Sequence, residues 1–133
     1  MPRLYREAPV NAIWEGAGNV MALDVLRAAE RDAEAMASVL VTLGEEVSGL
    51  PGAREALADI EGLLAGSERE RNARRIAETL ALVAAAGALT HAAPPAIAEA
   101  FARTRIAAPR RGFGSNDLAS AGSLLLGRAL PLL

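Results

Sequence analysis

The fold is decided by residues 18–43, which read GNVMALDVLRAAERDAEAMASVLVTL. Apolar side chains recur in this stretch at steps of three and four residues, and the stretch contains no proline. That spacing is typical of an α-helix with one apolar stripe. We therefore expect one continuous helix of roughly 40 Å, at about 1.5 Å per residue. The side chains expected to face the core are Val20, Met21, Leu23, Leu26, Ala29, Ala33, Met36, Val39, Leu40 and Leu43.

The rest of the chain predicts further helices separated by glycine and proline. Apolar spacing predicts them over 53–65, from 68 to about 92, over 95–103, and from 115 or 116 to about 130. The third of the predicted helices begins near Glu68, because Ser67 and Glu70 have the spacing of a capping box. Gly87 inside it indicates a closely packed neighbouring helix. We expect an all-α, antiparallel up-and-down bundle of four main helices with a short extra C-terminal helix.

Size and organisation are consistent with one domain over 1–133, in which an extended lead over 1–17 precedes a bundle over 18–133. Alanine is frequent and aromatic residues make up only 3% of the chain, which favours helices packed through small side chains. The 14 basic residues, all arginine, and 16 acidic residues give a net charge of −2. This balance creates no general attraction to nucleic acid or to anionic membranes.

Composition also limits the kinds of site. Cysteine is absent and there is a single histidine, so thiolate chemistry is excluded and no metal site is expected. A membrane span needs about 18 consecutive uncharged apolar residues, and the sequence contains no such stretch. We expect a cytoplasmic protein that does not enter a membrane.

Glu15 stands out because it lies between the only tryptophan, Trp14, and the glycine pair Gly16 and Gly18. One interpretation is structural: the carboxylate would favour the positive end of the following helix by about 0.3–1 kcal/mol. The other is functional, since glycines let a backbone approach a ligand closely. The spacing alone favours the structural interpretation.

The N-terminal segment resembles part of a known family. Residues 4–8 (LYREA), 13–21 (IWEGAGNVM) and 23–27 (LDVLR) are similar to the start of the last helical segment of flavin-dependent acyl-CoA dehydrogenases. The resemblance is to their alkylation-response, AidB-like branch, which has tryptophan before the acid and asparagine where most members have glutamine. It is tight over residues 3–27 and loose thereafter, including the tail around Phe113 and Gly114.

This resemblance implies specific roles. Glu15 matches the catalytic base that removes the α-proton of an acyl-CoA while the β-hydride passes to flavin N5. Trp14 would line the substrate pocket, and Gly16, Ala17 and Asn19 fall where the family contacts FAD. Ala17 departs from the pattern, because threonine or serine usually supplies a hydroxyl there.

The 133 residues do not include the N-terminal helical domain and middle β-domain that supply most of the family's pocket. We therefore expect a C-terminal domain or fragment that is inactive alone and needs a flavin-binding partner chain. An apolar surface around Ile13, Trp14 and Val20 would favour a homo-oligomer. A structural or oligomerisation domain without catalysis is the alternative that needs no cofactor.

The same branch is associated with DNA binding through its C-terminal domain, and arginines are the candidates here. Those with suitable spacing or exposure are Arg71, Arg74, Arg75, Arg110 and Arg111. They could contact phosphates. The interleaved acids Glu68, Glu70 and Glu78 instead favour ordinary solvated ion pairs for the first cluster, so DNA binding stays an alternative.

Overall fold

The computed structural model describes residues 3, 6, 7, 18–108 and 121–129. These ranges contain helices and turns but no strand, so the predicted all-α fold and packed helical bundle are confirmed. No helix within the described ranges is long and apolar enough to cross a membrane. The helices are α1 (Gly18–Arg31), α2 (Ala33–Glu46), α3 (Ala53–Ala65), α4 (Ala73–Ala92), α5 (Pro95–Ala102) and α6 (Gly122–Ala129), with a π-helical turn at Arg103–Ala107.

Helix α4 is the centre of the bundle, because α1, α2, α3 and α5 all contact it. Its Ile76 side chain is fully buried in a cluster with Leu26 of α1, Leu40 of α2 and Ile60 of α3. Its Val83 side chain is fully buried in a second cluster at the other end of the helix. Small residues such as alanine let the helices approach closely.

The prediction of one continuous helix over 18–43 is wrong, because the chain leaves helical geometry at Asp32. This residue has φ −141° and ψ 77°, and its carboxylate accepts a hydrogen bond from the Ala35 amide at 2.9 Å. Asp32 therefore caps the N-terminus of α2 and separates it from α1. An aspartate in this role satisfies an amide that would otherwise lack a helical partner.

The break changes which apolar side chains are buried. Leu26, Ala29, Leu40 and Leu43 are buried as predicted. Four other residues of the predicted stripe are between 36% and 51% exposed, namely Val20, Met21, Leu23 and Val39. A non-helical residue resets the helical phase, so α1 and α2 each turn their own face towards the core.

We expect Asp32→Ala to lower the free energy of unfolding by about 1 kcal/mol, the usual cost of losing a capping side chain. Asp32→Asn is the matched control, because asparagine retains an oxygen that can accept from Ala35 and should leave stability nearly unchanged. Chemical denaturation of the full chain measures both. Greater stability of Asp32→Ala would contradict the capping role and would indicate that a continuous helix is preferred.

Other predicted helix boundaries can also be compared with the structure. The helix over 53–65 is confirmed by α3, and the end near 92 is confirmed by α4, which stops before Pro94. The predicted start near Glu68 is wrong, since α4 begins at Ala73. The Asn72 side-chain and backbone amides both donate to the Glu68 carbonyl oxygen, at 2.9 and 3.1 Å, and close residues 67–72 as a turn. The predicted start of the last helix lies outside the described residues.

Two glycines mark close approaches between elements. A Cβ atom at Gly87 would lie 3.3 Å from the Cβ of Glu46, which confirms that a neighbouring helix packs against this glycine. Gly52, with φ +74°, faces the end of the π-helical turn, and a Cβ atom there would lie 2.7 Å from the Ala107 Cα. The turn is also held by Thr104, whose buried hydroxyl donates to the Ala100 carbonyl oxygen at 2.8 Å.

Candidate functional site

The candidate catalytic motif is described in the structure only at its C-terminal end. Trp14, Glu15, Gly16 and Ala17 lie outside the described residues, so their assigned roles stay predictions. Asn19 is described, and it lies exposed in α1 immediately after the motif. Gly18 and Asn19, the first two residues of α1, are therefore the described residues nearest to the motif.

Arg74 of α4 holds the Asn19 side chain. The Arg74 Nε group donates a hydrogen bond to Asn19 Oδ1, between residues 55 positions apart in the sequence. An arginine side chain has only donors, so its partner must be the oxygen of the carboxamide. The Asn19 Nδ2 group, which carries two N–H donors, is then left to donate a hydrogen bond to an acceptor atom of a ligand.

Three large apolar side chains of α1 that follow Asn19 in the sequence are exposed. Val20 is 51% exposed and Met21 is 47% exposed, and Leu23 is also exposed on the same helix. Val20 is one of the three residues of the expected apolar surface, and that surface stays a prediction. Ile13 and Trp14, which complete that expectation, lie outside the described residues.

The arginines proposed to contact DNA contact different partners. Arg71 lies in the turn before α4 and pairs with Glu68 at 3.3 Å, while Arg75 makes two hydrogen bonds to Asp59 of α3, at 2.6 and 3.0 Å. Arg74 donates to α1 instead, so neighbouring arginines reach different helices. Arg110 and Arg111 lie outside the described residues. Exposed ion pairs of this kind contribute about 0–1 kcal/mol each, so DNA binding stays a prediction.

A groove lies where α1, α2 and α3 meet, with a volume of about 610 Å³. Its wall includes Leu26, Met36 and Leu64, and at its rim Arg69 pairs with Glu30 at 2.9 Å. The sequence does not predict this groove, because the groove lies between α1 and α2, which the periodicity of residues 18–43 does not separate. Across the described ranges, no three or more His, Asp and Glu side chains are grouped so that they could hold a metal ion.

Comparison with known proteins gives a short, specific similarity. No protein-family model matches the chain, and no solved structure matches it. The class of protein that this chain resembles is the acyl-CoA dehydrogenases, because a curated protein of that class is similar to a short stretch of the chain. The similar protein is the putative acyl-CoA dehydrogenase AidB of Escherichia coli (strain K12), with 67% identity over 33 residues. The match covers 25% of this chain and 6% of AidB, so it supports the family resemblance over a small part of either protein.

Proposed function

We propose that this chain is the C-terminal helical domain, or a fragment, of a flavin-dependent acyl-CoA dehydrogenase-like protein and is not active alone. In this role it supplies Glu15 as the general base for α,β-dehydrogenation of an acyl-CoA. The observation that supports the proposal most is the 67% identity to AidB over 33 residues. The all-α bundle is consistent with this proposal, because the domain that the proposal assigns to this chain is helical.

The described residues next to the motif have a chemistry that fits FAD. Asn19 offers the N–H donors of its Nδ2 group, and the adjacent Arg74 adds further donors and a positive charge. Amide and guanidinium donors together suit a diphosphate or an adenine ring. Ala17 supplies no hydroxyl, so cofactor binding in this chain would depend more on Asn19 and on backbone amides near Gly16.

In the proposed reaction, FAD and this chain have separate roles. Bound FAD supplies the hydride acceptor, while this chain positions the cofactor and accepts the proton. The Glu15 carboxylate would take the α-proton of the acyl-CoA, and Trp14 would exclude water from that carboxylate. A positioned general base accelerates such a step by about 10²- to 10⁴-fold.

The test is to supply the flavin-binding domains from a second protein. The full chain is mixed with a protein that carries the family's flavin-binding domains, FAD and an acyl-CoA under anaerobic conditions. We expect the absorbance of oxidised flavin to fall only when both proteins are present, because neither alone contains base and cofactor. The flavin-binding protein alone and this chain alone are the controls. An assembly that contains both proteins and bound FAD but reduces no flavin would overturn the proposal.

A second candidate is an assembly domain without catalysis, which the exposed apolar residues of α1 favour. Val20, Met21 and Leu23 would be covered in a homo-oligomer or by a flavin-binding partner chain. We expect sedimentation of the chain to show concentration-dependent association, and Val20→Glu with Met21→Glu to weaken it. A folded monomer at every concentration would contradict self-association.

DNA binding through the arginine clusters has less support. Arg71 and Arg75 each pair with an acid, and Arg74 donates to Asn19, so DNA phosphates would have to compete with these partners. If the chain does bind duplex DNA through them, the affinity should fall steeply as salt is added. Affinity that is independent of salt, or absent at low salt, would remove this alternative.

A further inference from the structure

We propose that Arg74 is a positioning residue for the cofactor: it holds the Asn19 carboxamide so that Nδ2 can donate to the adenylate half of FAD. This inference rests on the proposed function, but it concerns a different part of the chain from the catalytic motif. Arg74 is 55 residues from Asn19 in the sequence and belongs to the central helix of the bundle.

Arg74 fixes the orientation of the Asn19 carboxamide. An exposed asparagine side chain can rotate, and its oxygen and nitrogen ends have opposite hydrogen-bonding properties. Donation from Arg74 Nε fixes the oxygen end towards α4, so the nitrogen end is the one left to meet an acceptor. Phosphate oxygens and adenine ring nitrogens are acceptors. Without Arg74, Asn19 would lose this preference and pay more side-chain entropy on binding.

Arg74 also places a positively charged guanidinium beside the Asn19 carboxamide. The other arginine on the same turn, Arg75, makes two hydrogen bonds to the Asp59 carboxylate, which offset its charge. The contact of Arg74 with Asn19 is instead with a neutral amide. Acids lie four residues to either side of Arg74, at Glu70 and Glu78, so Arg74 would act on the cofactor mainly by orienting Asn19.

The bond itself can be tested in the full chain without a cofactor. The ¹⁵N NMR signal of the Arg74 Nε–H group should shift in Asn19→Ala, whereas the Nε–H signal of Arg103 should not. Arg103 is the matched control because it is also exposed and pairs locally with Glu99. An Arg74 signal that is unchanged in Asn19→Ala would overturn the inference.

The role in binding is tested in the assembly with the flavin-binding protein. We expect Arg74→Met to weaken FAD about tenfold, the effect of losing about 1.4 kcal/mol. The affinity for FMN, which lacks the adenylate, and the rate of flavin reduction at saturating FAD should stay unchanged. Arg103→Met should change none of these values. Arg74→Lys should recover part of the FAD affinity, because it restores the charge but not the Nε geometry.

The two proposals fail in different ways. Equal FAD affinity in Arg74→Met and the wild type, or equal weakening of FAD and FMN, would overturn the role of Arg74 while leaving that of Glu15 intact. An assembly that binds FAD and shows the Arg74 effect but reduces no flavin would overturn the catalytic proposal alone. An assembly that binds no FAD would overturn both.

Discussion

Glu15→Gln should slow acyl-CoA-dependent flavin reduction in the assembly with a flavin-binding protein by about 10²- to 10⁴-fold. Glutamine has nearly the size of glutamate and keeps one acceptor oxygen, but its amide cannot accept the α-proton. The affinity for FAD should stay unchanged, because the residues assigned to cofactor binding are Gly16, Ala17 and Asn19. The measurement is a single-turnover reduction of bound flavin under anaerobic conditions.

Glu7→Gln is the matched control for this experiment. Glu7 is an exposed acid of the same N-terminal segment, and it pairs with Arg3 at 2.9 Å. Its substitution should leave the rate of flavin reduction unchanged, since an exposed ion pair contributes about 0–1 kcal/mol to stability. Equal slowing in both variants would indicate a general charge effect. No slowing in Glu15→Gln would remove the assigned catalytic base.

Gly52→Ala should lower the free energy of unfolding by about 2–4 kcal/mol, because it combines backbone strain with overpacking. Gly52 has φ +74°, a conformation that side chains disfavour, and it faces backbone atoms of Ala107. A new Cβ atom would lie 2.7 Å from the Ala107 Cα and 2.9 Å from its nitrogen. Backbone cannot move aside as a flexible side chain can, so the π-helical turn would have to shift away from α3.

Gly49→Ala separates the two causes. Gly49 has φ +84°, but a Cβ atom there would have no heavy atom within 4 Å. It should therefore show only the strain, about 1 kcal/mol. Denaturation of both variants and the wild type by urea gives the comparison. Equal losses for Gly49→Ala and Gly52→Ala would show that the contact with Ala107 contributes nothing to stability.

Local sequence signals predicted α3 well and the break at Asp32 badly. Pro51 and Gly52 before α3, and Gly66 after it, interrupt the helical pattern on both sides, so the bounds of α3 follow from neighbouring residues. Asp32 can cap a helix, but it is surrounded by alanine, glutamate and arginine, which favour continued helix. A local capping signal within a strong helical pattern does not reveal whether the tertiary structure will use it.

The candidate site also has one part that the sequence predicts and one part that it does not. The motif around Glu15 was found from a short segment of sequence, and the 33-residue similarity to AidB supports the family resemblance behind it. The contact between Asn19 and Arg74 could not be found in this way, because it joins α1 to α4. No spacing rule predicts which of several arginines on a helix will face a distant asparagine. That information requires the packing of the bundle.

The central position of α4 has a consequence for synthesis on the ribosome. Helix α1 makes its most extensive contact with α4 and not with α2, which follows it in the chain. Leu26 and Ala22 of α1 are buried in the cluster that contains Ile76. A nascent chain therefore cannot complete the burial of the core face of α1 until residues 73–92 have left the exit tunnel. During that interval the emerging helices expose apolar surface that can aggregate or bind a chaperone.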